Sequence, residues 1–300
     1  MGNTSMGDRL QDWGARAVLG GALLLPYRWR VPLVGWVVSR VVAPFAGWRG
    51  RIRRNLAYVM PDLPEAERER IVRRVADNVG RTLIEIYSGE DFVAHTRDSV
   101  IEGPGRTALE AARAEHRPVV LLTAHLGNYD AVRGKLSREG YEMAALFRPM
   151  KNAAFHEHYL EAISAIAEPV FPTDRPGITA LVRHLKEGGI IGIVADVGLR
   201  AQPVLRFFGK PAHTAVASAE WALKYNAEVI PIFGLRQPDG LSFRIHVAKP
   251  IPHGAPTAMM QAYNDAVEAV VRKHMDQWFW IHRRWKLNRE AELSSGETPP

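Results

Sequence analysis

The chain has 300 residues, 47% of them hydrophobic and 24% charged, a globular composition that excludes disorder, collagen and coiled coil. It contains no cysteine, which also removes a disulfide framework, a thiolate nucleophile and cysteine-ligated zinc. The formal net charge of +7 is concentrated at one end: Arg9, Arg16, Arg28, Arg30, Arg40, Arg49, Arg51, Arg53 and Arg54 face only Asp8 and Asp12 within residues 1–60, so this fifth of the chain supplies the whole excess.

That segment also carries Trp13, Trp29, Trp36 and Trp48, half of all the tryptophans, among apolar runs at 17–27, 31–39 and 41–48. Arginine for anionic headgroups, tryptophan for the interface and aliphatics for the acyl region suit a bilayer surface better than a nucleic-acid groove. The uncharged run Ala17 to Tyr27 falls far short of the ~20 residues that a spanning helix needs. A signal peptide fits poorly, because Asp8 and Asp12 precede the apolar run. Residues 1–60 are therefore predicted as a monotopic, membrane-associating helical segment. The alternative is a pair of buried core helices with arginines on a solvated rim.

Beyond it, Ile71, Val75, Val79, Leu83 and Ile84 recur at helical spacing over 64–88, begun by Pro64 and closed by Gly89. From residue 98 the pattern changes to short β-rich runs alternating with helical ones. Strands are predicted at 118–124, around 142–147, and at 190–195, 228–234 and 241–247; helices near 128–139 and at 152–165, 177–187 and 214–225. A final helix spans about 257–285. This alternation predicts an α/β fold with an open, mostly parallel sheet over 61–289, and residues 290–300 read as a disordered tail.

In open α/β sheets, ligands sit beyond the carboxyl ends of the strands. The apolar strand 118–124 delivers the chain into His125-Leu126-Gly127-Asn128-Tyr129-Asp130. Gly127 can supply a turn and Asn128 can cap the following helix, leaving Asp130 in its first turn, able to point back at His125 and fix its tautomer. A second His-x4-acid match, His156 and Glu161, lies inside a helical segment without strand or glycine and reads as a solvated face. Arg148 follows the strand at 142–147, where a guanidinium could hold a phosphate or carboxylate, and Asp196 ends the apolar strand 190–195. Phe207-Phe208-Gly209 could wall an acyl channel or be plain core. The run Trp278-Phe279-Trp280-Ile281-His282-Arg283-Arg284-Trp285-Lys286 sets three tryptophans beside three basic residues, as a site for an anionic amphiphile would.

These residues resemble the late (lauroyl and myristoyl type) lipid A acyltransferases and their relatives among mannoside-lipid and aminolipid O-acyltransferases. The resemblance covers most of the chain. It rests on the basic N-terminal segment, the His-x4-Asp of His125 and Asp130, the Arg-Pro at Arg148, the strand end at Asp196, the Phe-Phe-Gly-x-Pro-Ala-x-Thr pattern at 207–214, and the Trp-x-His-Arg-Arg-Trp-Lys ending at 280–286. Lipid A enzymes commonly carry Glu at the second position of the dyad and Asp-Gln where this chain has Asp196-Val197; the mannoside-lipid relatives share the His-Leu-Gly-Asn-aromatic-Asp form.

The resemblance implies a glycerolipid-acyltransferase-like α/β fold, an acyl thioester donor on acyl carrier protein or CoA, and a hydroxyl-bearing lipid acceptor at the cytoplasmic face of a bacterial inner membrane. The acceptor classes it leaves open are a lipid A precursor, a lyso-glycerophospholipid and a lyso-aminolipid. His125 is expected to act as general base and Asp130 to orient it. No serine falls in a nucleophile-elbow pattern, so direct transfer is expected. Arg148 and backbone donors near Gly127 are candidates for stabilising the tetrahedral oxygen or for binding the headgroup. Asn128, Asp196, Phe208, Gly209, Thr214, Arg283 and Arg284 are the further expected substrate-binding residues. No metal or other cofactor is implied. A lipid esterase on the same fold and a non-catalytic membrane-binding module are the rival readings, and a nucleic-acid partner is not expected.

Overall fold

Nine strands lie among the residues that the computed structural model describes, which are 16–150, 152–198 and 201–285. They are β1 (Val100–Glu102), β2 (Val119–Thr123), β3 (Met143–Phe147), β4 (Val170–Pro172), β5 (Ile190–Val194), β6 (Val204–Phe207), β7 (Lys210–His213), β8 (Glu228–Arg236) and β9 (Phe243–Val247). Seven form one sheet in the order β1-β9-β8-β2-β5-β3-β4. Strands β8, β2, β5, β3 and β4 run parallel, whereas β9 is antiparallel to β8 and β1 follows β9. The remaining two, β6 and β7, make a hairpin.

Strand β2 sits at the centre with every residue buried, as a parallel strand covered on both faces must be. Its side chains alternate between two cores. Val120 and Leu122 pack with α8 (Arg175–Lys186), α9 (Ala217–Tyr225) and α10 (Pro256–Val271). Val119 and Leu121 pack with α5 (Arg106–Ala114), α6 (Tyr129–Arg138) and α7 (Ala153–Ile166). The sheet is thus flanked by helices on both sides.

The predicted strands and the helices between them appear within a few residues of their expected ends. Two features differ. The helix predicted to reach 285 ends at Val271, and the chain continues as an irregular strap stitched to the sheet edge. Strand β1, helix α5, the short β4 and the β6–β7 hairpin were not predicted; each is three to nine residues long, too short to carry a clear period. The predicted tail at 290–300 lies outside the described residues.

At the N-terminal end, α1 (Tyr27–Val37) runs on through a π-turn at Val38–Val42 to Phe45, and α2 (Trp48–Val59) leaves it at 85°. Both pack on the long α3 (Glu65–Ile86), whose buried stripe includes Ile71, Val75 and Ile84. Helix α1 is two-faced. Val31, Gly35 and Val38 are buried on the inner side, whereas Trp29, Leu33, Trp36, Val41 and Phe45 are exposed on the outer side. Among the described residues no single helix is long and apolar enough to cross a membrane; the bent pair α1–Phe45 and α2 passes that test only when taken together.

The α1–α3 crossing depends on glycine. A Cβ at Gly80 would lie 2.7 Å from Val38 Cβ and 2.8 Å from the Val34 carbonyl oxygen, so α3 approaches α1 as closely as it does only because position 80 has no side chain. Gly80→Leu is expected to lever α1 off α3 at a cost of roughly 1–3 kcal/mol, read as a lower urea midpoint together with new protease cleavage in the Met60–Pro64 link.

Candidate active site

The site is an extension of the β2–β5 ladder. Parallel pairing sets Thr123 beside Val194, and continuing that register two residues further sets His125 beside Asp196. The Ala195 N–H donates to the Thr123 carbonyl at 3.0 Å, carrying the ladder past the formal strand ends. His125 Nδ1 then lies 2.7 Å from Asp196 Oδ1, and the His125 backbone N–H donates to Oδ2 at 2.9 Å. The Trp278 indole N–H donates to the same Oδ2 at 2.8 Å.

Asp196 is buried, which alone would raise its pKa. The charges of His125 and His282 and the hydrogen bonds from the His125 ring and backbone outweigh that, and hold the carboxyl below the usual carboxylate range. With Nδ1 donating to this carboxylate, Nε2 is the ring atom left to accept a proton. The ring is partly exposed, at 28%, and is framed by Tyr129, Phe279 and His282, with ring centroids at 5.4, 6.0 and 4.5 Å.

The expected partner of His125 is therefore replaced. Asp130 points away from the sheet edge: its Oδ1 accepts from Arg133 at 2.6 Å, both groups are buried, and Arg133 reaches on to the carbonyls of Ile163 in α7 and of Ala167 just beyond it. The reason lies in the cap. Asn128 accepts the Asp130 N–H through its side chain at 2.9 Å, which starts α6 so that position 130 faces α7 rather than the loop.

The backbone N–H groups of Leu126, Gly127 and Asn128 are committed within the fold, donating to the carbonyls of Ala124, Gln277 and Gly234. Gly127 has φ +61°, and a Cβ there would lie 2.0 Å from the Gly234 carbonyl oxygen. Only glycine fits this turn.

The other expected site residues divide. Arg148 is exposed just after β3, on the same edge of the sheet as His125 and two strands from β2. Asn128 is fully buried, bonded to Glu85 at 2.8 Å, and holds the loop rather than facing solvent. Phe208 is core, packed edge-on or tilted against Phe207, Trp280 and Trp285, and Gly209 sits with it at the tip of the β6–β7 hairpin. Thr214 and Arg284 are buried against each other: one Nη of Arg284 donates to Thr214 Oγ1 at 2.9 Å and the other to the His213 carbonyl. Phe208, Thr214 and Arg284 brace the strap rather than line a cleft, and Gly209 is exposed at the hairpin tip. Arg283, by contrast, is exposed and lines a cleft of about 370 Å³ with Trp48, Arg51, Gly198, Phe279 and His282. Trp278 and His282 were expected only as members of the C-terminal run and Arg51 only as part of the basic segment, none of them beside His125 or its cleft. The His282-Arg283-Arg284 run was the available signal, but a helical reading of 257–285 hides which of the three faces inward.

His125, Asp196 and His282 bring three potential ligand atoms within 4.8 Å of one another. Both Asp196 oxygens already accept donors from His125 and Trp278, so a cation would have to displace those bonds.

The family model for bacterial lipid A biosynthesis acyltransferases matches residues 4–287. The chain belongs to that family. It is 24% identical to a lipid A biosynthesis acyltransferase of Haemophilus influenzae, over 94% of this chain and 92% of the relative. It is 22% identical to the lipid A biosynthesis lauroyltransferase of Escherichia coli K12, over 93% and 92%, and 24% identical to the myristoyltransferase of the same organism, over 94% and 89%. The protein is an acyltransferase of this family, and within its fold His125 and Asp196 form the one hydrogen-bonded histidine–carboxylate side-chain pair among the described residues.

A carboxylate whose pKa is depressed in the folded state contributes stability above its unfolded value, 3.8, and loses that contribution as pH falls through the depressed range. Asp196→Asn is accordingly expected to be less stable than the wild type by roughly 1–3 kcal/mol near neutrality. The gap should shrink as pH is lowered from about 5 to 3, measured by urea unfolding across that interval.

Proposed function

We propose that this acyltransferase moves a fatty acyl chain from an acyl thioester, on acyl carrier protein or CoA, to a hydroxyl of a membrane lipid. A lipid A precursor is the acceptor favoured by what the named relatives act on, with a lyso-lipid such as a lyso-aminolipid as the other class. The observation that carries the reading is the His125–Asp196 pair at the carboxyl ends of two central parallel strands.

In this reading His125 Nε2 takes the acceptor hydroxyl proton as the oxygen attacks the thioester carbonyl. Asp196 holds the ring in the required tautomer and offsets the imidazolium charge. Collapse of the tetrahedral intermediate breaks the C–S bond, and the imidazolium returns its proton to the leaving thiolate. No covalent acyl-enzyme and no resident metal enters the scheme. Arg148, exposed on the same edge, is a candidate for charge stabilisation, since the N–H groups of Leu126, Gly127 and Asn128 are committed to carbonyls of the fold.

The test is transfer by the full chain in detergent, with acyl carrier protein or CoA thioesters and a lipid A precursor, following thiol release and the acylated lipid by mass spectrometry. His125→Ala and Asp196→Asn are each expected to lower kcat by about 10²–10⁴. Asp130→Asn should act mainly on stability, by about 3–5 kcal/mol for a broken buried pair, and leave kcat within about tenfold. A His125→Ala protein with wild-type turnover overturns the mechanism. Thiol release that does not depend on acceptor would mark an esterase.

The outer stripe of Trp29, Leu33, Trp36, Val41 and Phe45, beside exposed Arg28 and Arg40, supports attachment to an anionic membrane surface at the cytoplasmic face of the inner membrane. Trp29→Glu with Trp36→Glu is expected to shift the protein from the floating to the free fraction on anionic phospholipid vesicles, while its urea midpoint stays unchanged. Retained flotation would place the membrane contact elsewhere.

A further inference from the structure

The cleft beside His125 has a charge imbalance that catalysis by the dyad does not explain. Arg51 on α2 and Arg283 on the strap both line it. Arg54 stands one turn along α2 from Arg51. Among the described residues none of these three is in an ion pair, although their neighbours are engaged: Arg53 is bound to Glu69 through two of its three guanidinium nitrogens, and Arg284 is bound to the His213 carbonyl, Thr214 and Asn264. Among the described residues the Arg51 guanidinium makes one hydrogen bond, a long one of 3.5 Å to the Ile281 carbonyl. Burial lowers the pKa of Arg51, and the charges of Arg283 and Arg54 lower it further.

Like charges gathered at a concave surface raise its affinity for anions. A guanidinium with uncommitted donors matches the geometry of phosphate oxygens. His282 ties this place to the reaction centre, since it lines the cleft and its ring centroid is 4.5 Å from that of His125. Trp48 and Phe279 add apolar and aromatic wall, so the cleft suits a phosphate carried on an amphiphile.

We infer that Arg51 and Arg283, supported by Arg54, form a subsite for a phosphate ester of one of the two substrates. The inference rests on the acyl-transfer reading above for its place in the reaction. The phosphate belongs either to the lipid acceptor's headgroup or to the pantetheine arm of the donor, and both present the same mono- or diester chemistry to the arginines.

The test has a binding arm and a kinetic arm, both on the full chain in dodecyl maltoside. Calorimetric titration with dodecyl phosphate is expected to show binding that falls at least tenfold in Arg51→Gln with Arg283→Gln. It should be unchanged in Arg106→Gln with Arg244→Gln, a control that removes two exposed charges elsewhere. His125→Ala should bind as the wild type does. In turnover, the Arg51/Arg283 double variant is expected to raise KM at least tenfold for the phosphate-bearing substrate, with kcat held within about threefold. The KM for the dephosphorylated acceptor, or for an acyl-pantetheine without its phosphate, should not rise further. The substrate whose KM responds identifies the source of the phosphate. Equal losses with and without phosphate, in either arm, overturn the subsite. Selective dodecyl phosphate binding in a protein that transfers no acyl group would support the subsite and sink the acyl-transfer reading instead.

Discussion

The buried carboxylate of Asp196 is the group on which the site depends. Taking a carboxylate out of water costs several kcal/mol unless hydrogen bonds and charge replace the lost hydration. Here three donors do so, and two belong to one residue, the ring and the backbone N–H of His125. That double attachment fixes the loop and the ring rotamer together. The third donor, the Trp278 indole, draws the C-terminal strap across the sheet edge, where Leu126 and Trp278 form a β-bridge and the Phe279 N–H donates to the His125 carbonyl. Strand end, loop and strap are one cooperative unit, and weakening any of them loosens the histidine.

A second buried charge clamps the same loop from its other side. Glu85 of α3 is paired with Arg236 at the end of β8, and it also accepts from the Asn128 side chain, whose own oxygen starts α6. Thr82, one turn earlier on α3, donates to the Gly127 carbonyl. The helix that carries the N-terminal segment is therefore the helix that holds the back of the histidine loop. If the outer face of α1 rests on a membrane, the dyad is held rigidly with respect to that surface, which is what an enzyme needs when its acceptor is anchored in the bilayer.

The loop was legible in the sequence because everything it needs is local: an apolar strand, His125 at its end, Gly127 for the turn and Asn128 as cap. The partner of His125 was not. Asp130 is five residues away and Asp196 is seventy-one, and sequence spacing weighs the near one although it says nothing about which strand lies alongside β2. Once β5 is known to be that neighbour, its terminal aspartate is placed by register alone. The strap failed for a related reason. Its tryptophans and arginines recur at spacings a helix tolerates, but indole and guanidinium donors are spent on the backbone and side chains of distant segments, Asp196 for Trp278, Phe207 for Trp285 and His213 for Arg284. Tertiary hydrogen bonds overrode local propensity.

The arginines carry the same lesson into function. Composition alone treats Arg30, Arg51, Arg53, Arg283 and Arg284 as a single basic endowment. In the fold Arg30 is buried against Ser88 and Asp91, Arg53 is paired with Glu69, and Arg284 is locked inside the strap. Their charge is neutralised or their donors are consumed, so they brace the structure and add little to the field at the cleft. Arg51 and Arg283 lack such partners among the described residues and meet in the cleft next to His282. Sequence neighbours such as Arg283 and Arg284 thus do opposite work, and the difference is set by which acid or carbonyl the fold brings within reach. Net charge located the basic segment; only the pairing within it separates cations that hold the protein together from cations left to meet a substrate.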